Sequence, residues 1–176
     1  MVSRQTIQLL GASLLAAMLC LQPVRAGTVV EEDLKAAFVY RFTQYTKWPI
    51  SPEKEFRLCL YGSTEVTKAI EQLSGRLIQG SPLSITRPSS GNIPEGKCHA
   101  AFLGVEDRNQ LRSLVQSRAD QPILLISDMP GAFDERIDIA LFTEPNRVSF
   151  SINRTQAHDR MLTFSSQMLK LANKIR

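Results

Sequence analysis

Histidine and cysteine are scarce in this sequence of 176 residues, which contains two histidines and three cysteines. His99 and His158 do not combine with Cys59 and Cys98 into the spacing of a zinc ligand pair. The sequence therefore predicts no metal site.

An excess of charge of one sign is also missing. Once Arg4 and Arg25 are left out, residues 27–176 carry 19 basic and 17 acidic side chains, a net charge of +2. A protein that binds nucleic acid or another polyanion usually has a larger basic excess. We therefore expect no nucleic-acid partner.

Motifs of the common enzyme classes are missing as well. Ser127-Asp128 follows an apolar run but lacks the glycines that flank a nucleophile elbow. Gly96-Lys97 lacks the upstream glycine and the following hydroxyl residue of a phosphate-binding loop. We therefore expect no catalytic residues and no cofactor, and we interpret the chain as a binding protein rather than an enzyme.

Long apolar runs are absent after the first 26 residues. Residues 9–19 form an apolar run that follows Arg4 and precedes Val24-Arg25-Ala26, the pattern of a secretory signal peptide with cleavage after Ala26. The run is shorter than the roughly 20 residues of a membrane-spanning helix. We expect residues 1–26 to be a signal peptide and residues 27–176 to form one α/β domain. The alternatives are an uncleaved anchor and a lipid-modified Cys20.

The two cysteines of residues 27–176 are Cys59 and Cys98. Export of the chain favours a disulfide between them. Two buried free thiols are the alternative.

The pattern of apolar residues predicts a three-layer α/β/α sandwich with a mainly parallel sheet. Strands at residues 56–62, 83–86, 98–104 and 122–127 alternate with helices and loops. In a sheet of the 2-1-3 type the first and third of these strands are neighbours, which brings Cys59 and Cys98 together. Residues 137–142 and 148–152 alternate like half-exposed strands and predict an antiparallel hairpin at the C-terminal edge. A terminal helix is expected from about Phe164, with Phe164, Met168, Leu171 and Ile175 on one face.

Several motifs in this order resemble the YfiR family of bacterial periplasmic proteins. They are the segments at residues 36–49, 58–62, 96–104, 122–128, 148–153 and 165–172. The resemblance implies the three-layer fold, the disulfide between Cys59 and Cys98, a homodimer, a periplasmic location and a role without catalysis. Family members bind the periplasmic sensor region of an inner-membrane diguanylate cyclase and so lower cyclic di-GMP and biofilm formation. A related membrane sensor kinase is the alternative partner for this chain. The best-studied members have a second cysteine pair in the C-terminal half, which this chain lacks, so redox control through such a bridge is not expected.

A partner-binding surface needs exposed apolar anchors with arginine nearby. The edge hairpin and the tail supply the candidates: Phe142, Arg147, Phe150, Arg154 and Met168. For Phe150 and Met168, burial in the core is the alternative.

The rival interpretation is a periplasmic protein that binds a small ligand at the carboxyl ends of the strands, where sheets of this type bind ligands. Its candidate residues are Gly62, Ser63, Gly104, Asp128 and His158. A deep pocket with convergent polar groups would favour this interpretation, whereas a flat surface would favour the regulator.

Overall fold

The computed structural model describes residues 31–176, apart from residues 51, 53, 119 and 146. The predicted signal peptide, residues 1–26, lies outside the described residues. No helix in the described part of the chain is long and apolar enough to cross a membrane.

Short helices and strands alternate along the described chain. The helices are α1 (Glu31–Tyr45), α2 (Glu65–Glu71), α3 (Arg108–Ser117), α4 (Arg154–Asp159) and α5 (Ser166–Leu171), with a 3-10 turn at Ala132–Glu135. The strands are β1 (Thr46–Lys47), β2 (Phe56–Tyr61), β3 (Leu77–Ile78), β4 (Ser81–Thr86), β5 (Ala100–Leu103), β6 (Leu124–Ser127), β7 (Ile139–Glu144), β8 (Arg147–Ile152), β9 (Thr163–Phe164) and β10 (Lys174–Ile175).

The main sheet has the strand order β10-β8-β7-β6-β5-β2-β4-β3. Five neighbouring strands of this sheet are parallel, in the order β7-β6-β5-β2-β4. β2 lies between β4 and β5, as the 2-1-3 arrangement predicts. β7 and β8 form the antiparallel hairpin near the C-terminal edge. The predicted mainly parallel sheet and its edge hairpin are therefore confirmed.

Both faces of the sheet are covered, because its central strands are apolar on both sides. All four residues of β5 and of β6 are buried. One face packs with α1 and α2 in a large apolar cluster that includes Val39, Phe42 and Ile70. The other face packs against Leu111 and Leu114 of α3. The three-layer prediction is therefore confirmed.

Two local features differ from the sequence-based expectations, and a third was not predicted. The terminal helix is only α5. Phe164 lies in β9, which pairs with β1, and Ile175 lies in β10, where the backbone of Asn173 and Arg176 pairs with the edge of β8. The first three residues of β7 and the last five of β8 are buried, instead of alternating between buried and exposed. Thr64 and Thr67 form a reciprocal capping box at the start of α2, where threonine takes the place of the usual glutamate.

The disulfide between Cys59 and Cys98 is present. Cys59 lies in β2 and Cys98 lies two residues before the neighbouring strand β5, with a Cα–Cα distance of 5.8 Å. This distance is typical of a disulfide. Both cysteines are buried. The bond therefore joins a central strand of the sheet to the loop that leads into its neighbour.

Gly62 stands where the chain leaves β2 with a φ of +81°, a backbone conformation that favours glycine. A Cβ atom at this position would overlap the carbonyl oxygen of Gly104. The two segments approach this closely because the backbone N–H of Gly104 donates to the carbonyl of Tyr61 at 2.9 Å. The carboxyl ends of β2 and β5 therefore require glycine at residue 62.

Reduction of the disulfide should lower the free energy of unfolding by about 4 kcal/mol, since the bond closes a loop of about 40 residues in the unfolded chain. Urea unfolding with and without reductant measures this change. The double variant Cys59→Ser/Cys98→Ser is the control and should not respond to reductant. Alkylation of both cysteines in the non-reduced native protein would contradict the bond.

Gly62→Ala should destabilise the fold by at least about 2 kcal/mol more than Gly75→Ala. Both glycines have a φ of +81°, but an added Cβ at Gly75 meets no atom within 4 Å. The comparison therefore isolates the steric overlap with Gly104 from the backbone conformation. Equal unfolding midpoints for the two variants would show that the close approach of β2 and β5 is not needed.

Candidate functional site

An apolar groove lies on the surface where α1, β8 and α5 meet. It consists of two adjoining depressions of about 240 Å³ and 430 Å³ that share Phe38, Phe150 and Leu171. We call this surface the aromatic groove and define it by its main lining residues: Phe38, Arg41, Phe42, Tyr45, Arg147, Phe150, Met168 and Leu171.

Three phenylalanines form the floor of the aromatic groove. The ring centroids of Phe42 and Phe150 are 4.8 Å apart, and the Phe38 ring lies 5.9 Å from Phe42 and 5.8 Å from Phe150. Such tilted pairs add about 0.5–1.5 kcal/mol beyond the burial of their area. Met168 of α5 is buried beside them. The floor is therefore a fixed apolar surface.

The local sequence explains why the aromatic groove is open to solvent beside this floor, although Phe42 and Phe150 are themselves buried. Phe38 and Phe42 are one turn apart on α1 and so lie on the same side of the helix. The helix α5 starts at its cap Ser165, whose hydroxyl accepts from the N–H of Met168, and it ends after only six residues. Its last residue, Leu171, is 74 % exposed. A helix this short leaves the far side of the aromatic groove open.

The rim of the aromatic groove carries arginine side chains. Arg147 forms an ion pair with Glu144, which also accepts from Ser149 Oγ at 2.9 Å and from Asn173 Nδ2 at 3.0 Å. The hydrogen bond from Arg147, followed by that from Ser149, lowers the pKa of the Glu144 carboxyl. Arg41 is exposed on α1 and donates to Gln44 Oε1 at 3.1 Å. Among the described residues, Arg41 has no carboxylate partner within ion-pair distance.

The structure brings three of the five sequence-predicted partner residues together. Arg147, Phe150 and Met168 line the aromatic groove, with Phe150 and Met168 buried in its floor rather than projecting from the surface. Phe142 is half buried on β7, opposite Ser149, and does not line the groove. Arg154 is exposed at the start of α4, also outside the groove.

Sequence reasoning missed the contribution of Leu171 to this surface. The helical spacing of Phe38, Phe42 and Tyr45 favours a face that covers the sheet, with a groove for a partner as the alternative; Phe42 is buried against the sheet, whereas Phe38 is partly buried and Tyr45 is exposed. The aromatic content of the helix was the available indication. Its position beside β8 and α5 depends on the tertiary fold.

The residues predicted for a small ligand are only partly brought together. Gly104 and Asp128 line an open depression of about 400 Å³ at the carboxyl ends of the strands, together with Thr64 and Arg108. Gly62 lies next to Gly104, and Ser63 is exposed beside it. His158 is exposed on α4 and lies outside this depression.

Three of the polar side chains of this depression are already engaged within the protein, whereas Glu106 has no hydrogen bond or ion pair among the described residues. Asp128 accepts from Lys35 at 3.3 Å, and Thr64 caps α2. Arg108 pairs with Glu135 at 2.8 Å and donates to the carbonyl of Pro130 at 3.1 Å. The depression therefore offers few free groups that converge on a ligand, which favours the regulator over the small-ligand interpretation.

Metal ligands do not cluster in the described part of the chain, where no group of three His, Cys, Asp or Glu residues could hold an ion.

His99 has a structural position in the described fold. Its Nδ1 accepts from the backbone N–H of Arg57 at 2.9 Å, and its ring lies 5.2 Å from that of Phe56. Its carbonyl accepts from Nε1 of Trp48 at 3.0 Å. Burial, with the positive charge of Arg57 as a further cause, lowers the pKa of His99 from its ordinary value of 6.5. Cys98 is bonded to Cys59 and so does not pair with this histidine as a thiol.

Comparison with known proteins identifies one family and one related fold. A model of the YfiR/HmsC-like family matches residues 32–173. The structure is also similar to a conserved domain protein from Vibrio cholerae O1 biovar El Tor strain N16961, with a TM-score of 0.57 and 7 % sequence identity. The match covers 85 % of this chain and 62 % of the Vibrio chain, and at this identity it shows the fold alone. No curated protein sequence matches the chain.

The fluorescence of Trp48 should report the titration of His99, because Trp48 is the only tryptophan and its ring packs 5.0 Å from Phe56. We expect a transition with a midpoint below pH 6.5. As the pH falls through 6.5, His99 binds a proton in the unfolded chain but not yet in the folded protein, where its pKa is lower. The free energy of unfolding should therefore fall as the pH drops from about 7, and the loss should level off below the folded pKa.

His99→Gln should remove the fluorescence transition, whereas His158→Gln should leave it unchanged. A midpoint at or above pH 6.5 in the native protein would contradict the effect of burial on His99.

Proposed function

Because the chain belongs to the YfiR/HmsC-like family, we propose that it restrains an inner-membrane diguanylate cyclase by binding the periplasmic domain of that enzyme. Members of this family in general regulate diguanylate cyclases from the periplasm. Restraint of a cyclase lowers cyclic di-GMP, and with it biofilm formation. A related sensor kinase is the other partner of this class.

The observation that carries the proposal is the aromatic groove. Its floor is a rigid set of aromatic rings, and Leu171 projects beside it with most of its surface exposed. An apolar side chain of a partner gains about 1.5–3 kcal/mol when it is fully buried in such a place. Interfaces draw most of their affinity from a few anchors of this kind.

Charge on the rim supports a partner with an acidic group beside its apolar anchor. Arg41 has no carboxylate partner among the described residues, and Arg147 is exposed over most of its side chain. Arginine is enriched at interface positions that contribute strongly to binding. The same charges steer the approach of an acidic surface.

The mechanism is a shift of population rather than a chemical step. A regulator that binds the inactive arrangement of a sensor domain more tightly than the active one holds the cyclase in the inactive state. Release of the regulator then allows the active arrangement to form. The protein contributes complementary surface and no reacting group.

Two further expectations belong to the same proposal. Cleavage after Ala26 places residues 27–176 in the periplasm, where the disulfide forms and where the protein meets the membrane only through its partner. A homodimer is the proposed assembly, which sedimentation of the purified protein tests.

The binding test is a pull-down from detergent-solubilised inner membrane with mass spectrometry of the retained proteins. The wild-type protein should recover a diguanylate cyclase that has a periplasmic segment. Leu171→Glu and Arg147→Glu should each reduce that recovery at least about tenfold, since one removes an anchor and the other reverses a rim charge.

Leu77→Glu is the matched control, because Leu77 is also exposed but lies on β3 at the opposite edge of the sheet. Arg154→Glu tests the remaining predicted arginine, which lies outside the aromatic groove. Equal recovery with Leu171→Glu and Leu77→Glu would refute the role of the groove. Recovery of no membrane protein by the folded wild type would shift the assignment to the small-ligand function.

A further inference from the structure

A second depression, of about 490 Å³, opens beside α3 and is lined mainly by arginine and acidic side chains. We call it the arginine depression. Its lining residues come from α3, the 3-10 turn and the end of α4: Arg112, Val115, Gln116, Arg118, Asp120, Asp134, Glu135, Arg136 and Arg160. It shares no residue with the aromatic groove.

Two arginines of the arginine depression are almost completely buried. Arg118 is 2 % exposed and Arg160 is 7 % exposed, and both pair with the fully buried carboxylate of Asp138. Asp138 Oδ2 accepts from Arg118 and Oδ1 accepts from Arg160 at 3.1 Å. The same Oδ2 also accepts from the backbone N–H of Leu125 at 2.8 Å. A single carboxylate therefore forms ion pairs with two buried guanidinium groups.

The buried positive charge is not fully compensated. The Nε atoms of both Arg118 and Arg160 are buried and have no hydrogen-bond partner among the described residues. Burial lowers the pKa of Arg118 to about 10; Asp138 opposes this effect, whereas the charges of Arg160 and Arg136 add to it. A buried cation without a full set of partners is costly, and an anion that reaches it removes part of that cost.

Most carboxylates on the rim are already occupied by other arginines. Glu135 is bound by Arg108 at 2.8 Å and by Arg112 at 2.7 Å. These two hydrogen bonds, that from Arg112 first, lower the pKa of Glu135 to about 2. Asp134 is bound by Arg176 at 3.2 Å. The lining residues and Asp138 together have four arginines and four carboxylates. Two further arginines from outside the lining, Arg108 and Arg176, bind Glu135 and Asp134, so this cluster of charges has an excess of positive charge.

Among the described residues that line the depression, Arg136 is an exposed arginine that no carboxylate binds. Its Nε donates to Gln156 Oε1 at 3.4 Å, and its carbonyl accepts from Nε2 of the same side chain. Its backbone has a φ of +64°, a conformation that favours glycine. Neither outer nitrogen of its guanidinium has a hydrogen-bond acceptor among the described residues, so both can reach a ligand.

We propose that the arginine depression binds a phosphate group, either as inorganic phosphate or as a phosphomonoester. Guanidinium groups bind the oxygens of phosphate in a bidentate manner, with charge-assisted hydrogen bonds. Arg136 contacts the phosphate from the mouth, while Arg118 and Arg160 supply positive potential from the floor. This ligand is separate from the partner proposed above, and neither proposal depends on the other.

The test is calorimetric titration of the folded full chain with sodium phosphate, and separately with glycerol 3-phosphate, against sodium chloride of equal ionic strength. Saturable binding of either phosphate compound, with none for chloride, is expected. Tighter binding of glycerol 3-phosphate identifies a phosphomonoester site, and equal or weaker binding identifies a site for inorganic phosphate. Both ligands should raise the unfolding temperature in a concentration-dependent way.

Arg136→Gln should weaken phosphate binding at least about tenfold, as expected when charge-assisted hydrogen bonds are lost. Arg76→Gln, an exposed arginine on the far side of the fold, is the matched control and should bind like the wild type. Arg160→Lys keeps the positive charge of the floor but replaces the planar guanidinium by an ammonium group. Its phosphate binding is compared with that of the wild type only after circular dichroism shows that the variant folds.

A titration heat with phosphate that equals the heat with chloride would overturn the proposal. Unchanged binding by Arg136→Gln would overturn it as well, since Arg136 is the arginine with free donors at the mouth. None of the residues changed in the pull-down variants lines the arginine depression, so failure here leaves the result of that experiment unaffected.

Discussion

The buried carboxylate of Asp138 holds together segments that are distant along the chain. Its two oxygens bind Arg118 at the end of α3, Arg160 at the end of α4 and the backbone of Leu125 in β6. Its own carbonyl accepts from the N–H of Asn153 at 2.8 Å, just after β8. Removal of one partner from such a buried cluster costs about 3–5 kcal/mol, because it leaves a charge without compensation. The side chain of Asp138 therefore links β6, β7 and the ends of the two flanking helices.

The sequence predicts the layered sheet well, because that part of the fold is encoded by local patterns. The apolar runs of β5 and β6 are too continuous for a half-exposed strand, and both are buried on two faces. Cys59 and Cys98 fall beside each other once the 2-1-3 strand order is assumed. Local patterns fail where tertiary contacts decide. The segment after Phe164 has a helical period, but its ends become β9 and β10 because open backbone groups nearby are available for pairing.

The two candidate sites differ in how visible they are in the sequence. Phe150 and Met168 of the aromatic groove were candidates because the hairpin and the tail contain apolar residues near arginines. The arginine depression was not predicted, since its arginines come from separate helices and turns. One local sign was present: Asp138 interrupts the apolar run at residues 137–142. An acid in such a run has to be paired when it is buried, but its partners can be identified only from the fold.

The disulfide also determines how the protein responds to mechanical force. Residues between Cys59 and Cys98 include α2, β3 and β4, and the covalent bond bypasses all of them. When the two ends of the chain are pulled apart, tension passes through the sulfur atoms and these elements carry no load. The fully stretched chain is then shorter by about 130 Å, the contour length of some 39 extended residues. The segment at this edge of the sheet is therefore not stretched, while the rest of the chain extends.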